Sequence, residues 1–244
     1  MKAAASMAAA TRVAACLCLL AATAGHAASV GIAPVRVNFD AGERSRVVEL
    51  TNRGSETVSI QADPVLWSQD EDAADVYSDT GDLLVVPRIF SIEPGATQVV
   101  RIGRVNPDAA PREQSYRIFF TELAPAEDSG AQLQFRLRLA IPVFIAPSDP
   151  PAPKLELIRS GHSEEGFEVV LLNAGNTHVQ VLQLNAGVVG ELPADEPAAV
   201  TGGYLLPGTA QRFLLPVPQH VRVTSIEADT DVAGTLEYAL PASH

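Results

Sequence analysis

Cysteine is nearly absent from the chain. Its two cysteines, Cys16 and Cys18, both lie within the first 28 residues, where Lys2 and Arg12 come before or at the start of an apolar run that ends in small residues. This is the pattern of a secretory signal peptide, so we expect residues 1–28 to be removed on export. Lipid attachment at Cys16 is the alternative interpretation of the segment. If residues 1–28 are removed, both cysteines go with them and the mature chain contains no disulfide bond. We expect the mature chain in the periplasm.

Positive charge and long apolar runs are scarce as well. The chain has 17 Lys and Arg residues against 29 Asp and Glu, and without Lys2 and Arg12 its formal charge is −14. So acidic a protein is not expected to bind nucleic acid. The apolar run before residue 28 is too short for a comfortable membrane span, and prolines and charges interrupt every later one, so no membrane span is expected.

Residue patterns that serve catalysis or metal binding are also missing. The internal histidines of the mature chain, His162, His178 and His220, do not have metal-ligand spacing. There is no Gly-x-Ser-x-Gly nucleophile elbow and no Gly-rich phosphate loop. The acidic stretch 69–82 lacks the ligand order of a calcium loop and is interpreted as a solvated loop. We therefore expect no enzyme activity, no metal and no cofactor.

Helical periodicity is nearly absent, and short β-branched and apolar runs recur between Gly, Pro, Asn and Asp clusters. This spacing predicts an all-β protein built from immunoglobulin-like sandwiches. In the first half the predicted strands are 30–40, 46–52, 57–67, 83–86, 96–104, 114–123 and 131–145. In the second half they are 155–160, 167–173, 178–184, 203–206, 211–217, 221–228 and 234–240.

A proline-rich segment separates the two halves. Four of the seven residues of 147–153 are prolines, which cannot continue a sheet and form a stiff connector. We therefore predict an N-terminal domain at 29–146, a linker at 147–153 and a smaller C-terminal β-sandwich at 154–244. No repeat of the first half is visible in the residues of the second.

The stretch before this linker carries the clearest pattern in the chain. Apolar residues alternate without a gap with Gln134, Arg136 and Arg138, which is the period of a strand with one apolar and one cationic face. This apolar row consists of Leu133, Phe135, Leu137, Leu139 and Ile141. The row either fills the core of its own domain or completes the unfinished sheet of another protein.

Several segments together resemble the periplasmic pilus-assembly chaperones of the PapD-like family. They are Ile32-Ala33-Pro34-Val35-Arg36-Val37-Asn38-Phe39, Leu50-Thr51-Asn52, Trp67, Val86-Pro87-Arg88-Ile89-Phe90-Ser91-Ile92-Glu93-Pro94-Gly95, Val100-Arg101-Ile102 and Tyr116-Arg117-Ile118-Phe119-Phe120-Thr121-Glu122-Leu123. The resemblance is strong up to about Pro147 and looser beyond it. It implies two immunoglobulin-like domains arranged as a boomerang.

The resemblance also implies a function for the apolar row. In that family, strand G1 of the chaperone fills the gap left by a missing strand in a pilin subunit, until an outer-membrane usher exchanges it. This assigns strand donation to Leu133, Phe135, Leu137, Leu139 and Ile141, with pilin subunits and the usher as partners. Self-association through G1 is expected when the chain is free. The alternative is an exported adhesive or structural module that binds through its loops.

The family further anchors the terminal carboxylate of the subunit with an Arg on the first strand and a Lys late in G1. Arg36 matches the Arg, although an exposed strand residue is the alternative. The Lys position aligns with Pro142, as in the divergent branch that serves archaic, spore-coat-U-like pili, and Lys154 is the candidate replacement. Ala146 stands where some relatives carry an Arg that joins the domains, so packing and the linker are expected to hold the hinge.

Overall fold

The computed structural model describes residues 30–106, 108, 110–124, 136–191 and 198–241. These residues form strands and connecting segments, with no helix among them, so the predicted all-β fold is confirmed. In this part of the chain no helix has the length and apolarity needed to cross a membrane. The predicted signal peptide, residues 1–28, lies outside the described residues.

Ten strands in two sheets form the first sandwich. They are β1 (Val30–Ala33), β2 (Val37–Phe39), β3 (Ser45–Asn52), β4 (Val58–Gln69), β5 (Asp75–Asp79), β6 (Leu83–Val86), β7 (Ile89–Ile92), β8 (Thr97–Arg104), β9 (Gln114–Glu122) and β10 (Arg138–Ile145). One sheet has the order β1-β3-β8-β6, and the other has the order β2-β10-β9-β4-β5, with β7 also paired to β4. Their inner faces meet in one core, to which Leu50 and Ile102 contribute from one sheet and Phe39 and Tyr116 from the other.

Eight strands form the second sandwich, which begins after the proline-rich segment. They are β11 (Leu155–His162), β12 (Phe167–Asn173), β13 (Val179–Val189), β14 (Ala199–Thr201), β15 (Tyr204–Leu205), β16 (Ala210–Leu215), β17 (Arg222–Thr230) and β18 (Gly234–Ala239). The sheets have the orders β11-β12-β16 and β14-β13-β17-β18, with β15 paired to β13. The two sandwiches confirm the predicted fold class, while the domain boundaries and the boomerang arrangement stay predictions.

Two of the predicted chain segments, 30–40 and 69–82, need correction. The single strand predicted at 30–40 is two strands in different sheets, because β1 pairs with β3, whereas β2 pairs with β10. Pro34 lies between them and has no N–H for a ladder, which allows the chain to change sheets there. The acidic stretch is not all loop, because Asp75–Asp79 forms an exposed strand along the end of β4.

A buried asparagine closes a corner of the first sandwich. The Asn52 side chain is fully buried, and its Nδ2 donates to the main-chain carbonyls of Glu56 at 2.7 Å and Ile92 at 2.9 Å. Its Oδ1 accepts from the N–H of Gly54 at 2.9 Å, and its own carbonyl accepts from the N–H of Gly95. One side chain therefore joins the end of β3 to the end of β7.

The second sandwich has the same corner. The buried Asn173 donates to the carbonyls of Thr177 at 2.8 Å and Leu205 at 2.9 Å, and it accepts from Gly175 N–H at 3.0 Å. Residues 50–58 and 171–179 share the pattern Leu-x-Asn-x-Gly-x-x-x-Val. The expectation that no repeat is visible at the residue level was therefore wrong, since a short repeat marks the same corner in both domains.

The phenol of Tyr116 is expected to make the stability of the first sandwich depend on pH. Burial raises the pKa of its phenol, and the hydrogen bond from its hydroxyl to Asp82 Oδ2, 3.0 Å long, raises it further. Above about pH 10 the unfolded chain loses the phenol proton while the folded chain keeps it, so this group lowers the stability by about 1.4 kcal/mol per pH unit. Urea unfolding between about pH 9 and about pH 11 measures this slope. Tyr116→Phe should have a shallower slope, and equal slopes would contradict the assignment.

Candidate functional site

Strand β10 is covered on one side over only part of its length. It pairs with β9 from Arg138 to Ile145, whereas β2 pairs only with Val143–Ile145. Among the described residues, no strand pairs with the other side of residues 138–142, which we call the open edge. Pro142 lies on it, which suits an edge because proline cannot donate to a ladder. Unpaired main-chain groups of this kind can bind an added strand.

The apolar row leaves the core as it runs along this edge. Ile141 is 2% exposed and belongs to the core of the first sandwich. Leu139 is partly buried and packs against that core, and Leu137 is also half-buried. Leu133 and Phe135 lie outside the described residues. The described part of the row therefore passes from its own core toward the strand's open end.

Arg36 lies at the junction of the two sandwiches rather than on a free surface. Its Nη1 donates to Asp231 Oδ2 of the second domain at 2.6 Å, and Asp231 Oδ1 accepts from the N–H of Gln180. Burial alone would lower the pKa of the Arg36 guanidinium. The hydrogen bonds to Asp231 and Tyr204 have the larger combined effect, so the pKa is raised overall. Arg36 thus already holds a carboxylate, supplied by its own chain.

Lys154 is placed differently. It lies just before β11, its side chain is 64% exposed, and its Nζ is 2.5 Å from Glu156 Oε1. Exposed ion pairs of this kind are weak. Arg36 and Lys154 therefore have different carboxylate partners in this structure.

Aromatic side chains from both domains pack together at the junction. Trp67 and Phe144 of the first sandwich form a buried cluster with Leu206 and Tyr204 of the second, which we call the junction cluster. The ring centroids of Trp67 and Tyr204 are 5.5 Å apart, edge to face. Phe144 also stacks on His178, with ring centroids 3.6 Å apart. Buried aromatic contacts of this kind hold the two domains in contact.

Polar contacts also span the junction. His178 Nδ1 is 2.8 Å from Glu113 Oε1, and both side chains are less than a tenth exposed. Gln69 donates to the carbonyl of Tyr204 at 2.7 Å and accepts from the N–H of Leu206 at 2.9 Å. The expectation that packing and the linker hold the hinge was therefore incomplete.

In the described ranges, no three His, Cys, Asp or Glu side chains are grouped to hold a metal ion.

Arg117 connects the junction cluster to the strand beside β10. Its guanidinium carbon lies 4.0 Å from the centroid of the Trp67 ring, and its Nη2 is 3.2 Å from Asp75 Oδ2. Its Nε is buried and has no hydrogen-bond partner among the described residues. Asp75 also accepts from Trp67 Nε1 at 2.8 Å, so it divides its carboxylate among several donors.

Sequence reasoning missed most of the junction. Phe144 gave a usable signal, because it continues the row of Arg136 and Arg138, where an aromatic residue on the polar face indicates that something covers it. Glu113 and Asp231 gave no local signal, because Glu113 is 65 residues from its partner His178, and Asp231 is 195 residues from Arg36.

Solved structures of similar fold include a chain of the CsuC–CsuE chaperone–tip adhesion subunit pre-assembly complex, from the archaic chaperone-usher Csu pili of Acinetobacter baumannii. The TM-score is 0.64 at 21% identity, over 86% of this chain and 98% of the other. The Salmonella enterica SafA pilin in complex with the SafB chaperone matches with a TM-score of 0.61 at 18% identity, over 89% and 99% of the two chains. At these identities the likeness concerns the fold.

Sequence comparison identifies the family. The chaperone protein PapD of Escherichia coli is 25% identical over 128 residues, which are 51% of each chain, so this chain spans about half the length of the curated relative that it matches. A family model described as "Pili and flagellar-assembly chaperone, PapD N-terminal domain" matches residues 29–151, about half of the chain. The resemblance found in the sequence is thereby confirmed, and the chain belongs to the PapD-like family of pilus and flagellar-assembly chaperones.

Proposed function

We propose that the chain is a periplasmic chaperone that adds its strand G1, formed by β10 and the residues before it, to the incomplete sheet of a pilus subunit. It would keep the subunit folded and capped until an outer-membrane usher exchanges the strand. The observation that carries this proposal is the open edge of β10. Its relatives support the proposal, since they include a chaperone and structures of chaperones with a pilin or a tip adhesion subunit.

The open edge offers what an added strand needs. Successive strand residues turn their main-chain groups to opposite sides, so every second residue of 138–142 presents its groups to the side away from β9, which β2 does not cover there. A strand of another protein that paired there would satisfy its own unpaired groups as well as those of β10. A family member without such an edge would have no template for the subunit.

The apolar row supplies side chains for the groove of the subunit. Ile141 is committed to the core of the first sandwich, so we restrict the donated part of the row to Leu133, Phe135, Leu137 and Leu139. Each side chain that moves from water into an apolar groove contributes about 1.5–3 kcal/mol before the costs of association. The polar residues between them, Gln134, Arg136 and Arg138, would remain in water.

Arg36 is well placed to bind the terminal carboxylate of the subunit. Strand β2 runs parallel to β10 and occupies the same side as the open edge, farther along. A subunit strand that also runs parallel to β10 would therefore end where β2 begins, next to Arg36. A guanidinium binds a carboxylate through charge-assisted hydrogen bonds, as Arg36 does with Asp231. Lys154 is less favoured, because it is exposed and paired with Glu156.

The proposal needs no catalytic group and no nucleotide. The subunit's stored folding energy would drive the exchange at the usher, and the predicted signal peptide would bring the chain to the periplasm. Self-association through G1 is expected when no subunit is present, since it would cover the same apolar row.

Co-expression tests the proposal. The chain is produced in a bacterial periplasm with small β-subunits encoded by neighbouring pilin genes and is then purified through a tag. The native chain should recover a subunit, whereas a variant with Asp at Leu133, Phe135 and Leu137 should recover none while remaining folded. If neither form recovers a subunit, the proposal is wrong, and the loop-binding surface module becomes the better interpretation.

A further inference from the structure

We infer that the second domain takes part in strand donation by clamping the base of β10. Its His178 and Tyr204 hold Phe144, and this contact keeps the open edge in the extended conformation that a subunit strand needs. His178 is then a positioning residue that acts through Phe144. The inference rests on the proposed function, because it makes the second domain a support for the donated strand.

The end of β10 is enclosed on every side. Val143 and Ile145 point into the core of the first sandwich, where they are 0% and 2% exposed. Because side chains alternate along a strand, Phe144 points to the opposite face, and it is buried there as well. Along its two edges the same segment pairs with β9 and with β2. Residues 143–145 therefore form a fixed base.

The start of β10 has much less support. Arg138 and Ala140 belong to the same face of the strand as Phe144, but both are exposed. On the side away from β9, the open edge has no partner strand in the part of the chain that the structure describes. Pro142, at the boundary, has no N–H with which to bond either neighbouring strand. The order of the open edge therefore depends on β9 and on the fixed base.

The second domain supplies most of the cover on Phe144. The rings of His178 and Phe144 are nearly parallel, with 10° between their planes and 3.6 Å between their centroids. The Tyr204 ring lies 5.7 Å from that of Phe144, and Leu206 belongs to the same buried cluster. Trp67 contributes from the first domain. The outer face at the base of β10 is thus held mainly by contacts from the second domain.

The position of His178 is itself fixed. Asn173 donates to the carbonyl of Thr177, immediately before His178, at 2.8 Å. Glu113 accepts from the main-chain N–H of His178 at 2.9 Å, and its own N–H donates to the carbonyl of Asn176 at 2.9 Å. Glu113 directly precedes β9, the strand that pairs with β10. The second domain therefore contacts the start of β9 and the end of β10 together.

A clamp of this kind favours binding through pre-organisation. A donor strand that frays from β9 must be ordered when the subunit binds, and that ordering lowers the affinity. A strand held extended before binding avoids this cost. Local fraying can be measured in the free chain, because hydrogen exchange reports the opening of individual strands.

The test separates the ring of His178 from its hydrogen bond. His178→Asn removes the ring but keeps a side-chain donor for Glu113, whereas His178→Phe keeps a ring and removes the donor. His162→Asn is the matched control, because the His162 ring also contacts a phenylalanine, 4.9 Å from the Phe167 centroid, but within the second domain. For each full mature chain we would measure hydrogen exchange of the β10 amides without a subunit, and the affinity for the subunit recovered by co-expression.

His178→Asn should speed exchange of the β10 amides by about tenfold and weaken subunit binding by a similar factor, as expected for a lost aromatic contact. Exchange in β3 and β8 should stay as in the native chain. His178→Phe and His162→Asn should remain close to native in both measurements.

Native exchange of β10 in His178→Asn, or faster exchange with native affinity, would overturn the inference. Faster exchange throughout the first domain would also overturn it, because it would indicate a general structural role. Equal losses in His178→Asn and His178→Phe would exclude the stacked ring as the clamp. If the native chain recovers no subunit, the proposed function fails and the role in donation fails with it, whereas the exchange data alone still decide whether the second domain holds β10.

Discussion

Aspartate at Phe135 is expected to leave the chain folded but to abolish recovery of pilus subunits, whereas aspartate at Ile141 is expected to unfold the first domain. The two positions are six residues apart on the same apolar row. Ile141 is 2% exposed in the core, and an unpaired charge there costs several kcal/mol, a large part of a domain's stability. At Phe135 the same charge would instead enter the groove of the subunit.

The expected loss of subunit affinity at Phe135 is large. Removing the ring forfeits about 1.5–3 kcal/mol of apolar burial, and the carboxylate adds a desolvation cost, so a decrease of about a thousandfold is expected. Subunit recovery and urea unfolding of the free chain are measured for each variant, with Leu137→Asp and Leu139→Asp between the two ends. Gln134→Asp is the control, because it places a carboxylate on the polar row. Unfolding caused by Phe135→Asp would mean that this ring belongs to the chain's own core.

Asn52→Ala is expected to destabilise the first domain by about 3–5 kcal/mol, because it leaves the part-buried carbonyl of Glu56 and the buried carbonyl of Ile92 without their donor. Asn52→Asp should cost at least as much. It keeps an acceptor for Gly54 N–H, but it loses both donors and buries a charge. Asn173→Ala should have the same effect on the second domain, since its hydrogen bonds repeat those of Asn52.

Denaturant unfolding of the three variants, followed by hydrogen exchange to assign the domain, measures these effects. Asn106→Ala is the control, because Asn106 accepts one hydrogen bond, from Asp108 N–H, at an exposed turn. A change of less than about 1 kcal/mol is expected there. If Asn52→Ala were equally mild, the corner would not determine the stability of the domain.

The sequence was a good guide to the fold where one face of a strand is buried. The alternation that ends at Ile141 predicted a strand where the structure has β10. The exposed strand Asp75–Asp79 was missed, because it has no inward face to produce an apolar pattern. This strand forms because β4 extends beyond the residues that pair with β7, and the extended end of β4 pairs with Asp75–Asp79.

The candidate site was predictable only in its local part. The apolar row is a pattern within one short stretch of the sequence, and Arg36 lies in a recognisable segment, so both could be found from the sequence. Glu113 contacts His178 because the two domains meet there. Arg117 lies opposite Pro142 because of the strand register. These contacts join residues that are far apart in the chain, and no local sequence pattern predicts such contacts.

The short strand β2 has a consequence for which subunits the chain can serve. Because β2 closes the side of β10 at Val143, it sets the point beyond which a parallel strand cannot extend. Residues along an extended strand are about 3.3 Å apart, so a donor strand that continued β10 back to Leu133 would span about 33 Å from that point. On the proposed function, a subunit would fit only if the distances from its carboxyl end to its groove pockets matched the spacing of Leu139, Leu137, Phe135 and Leu133.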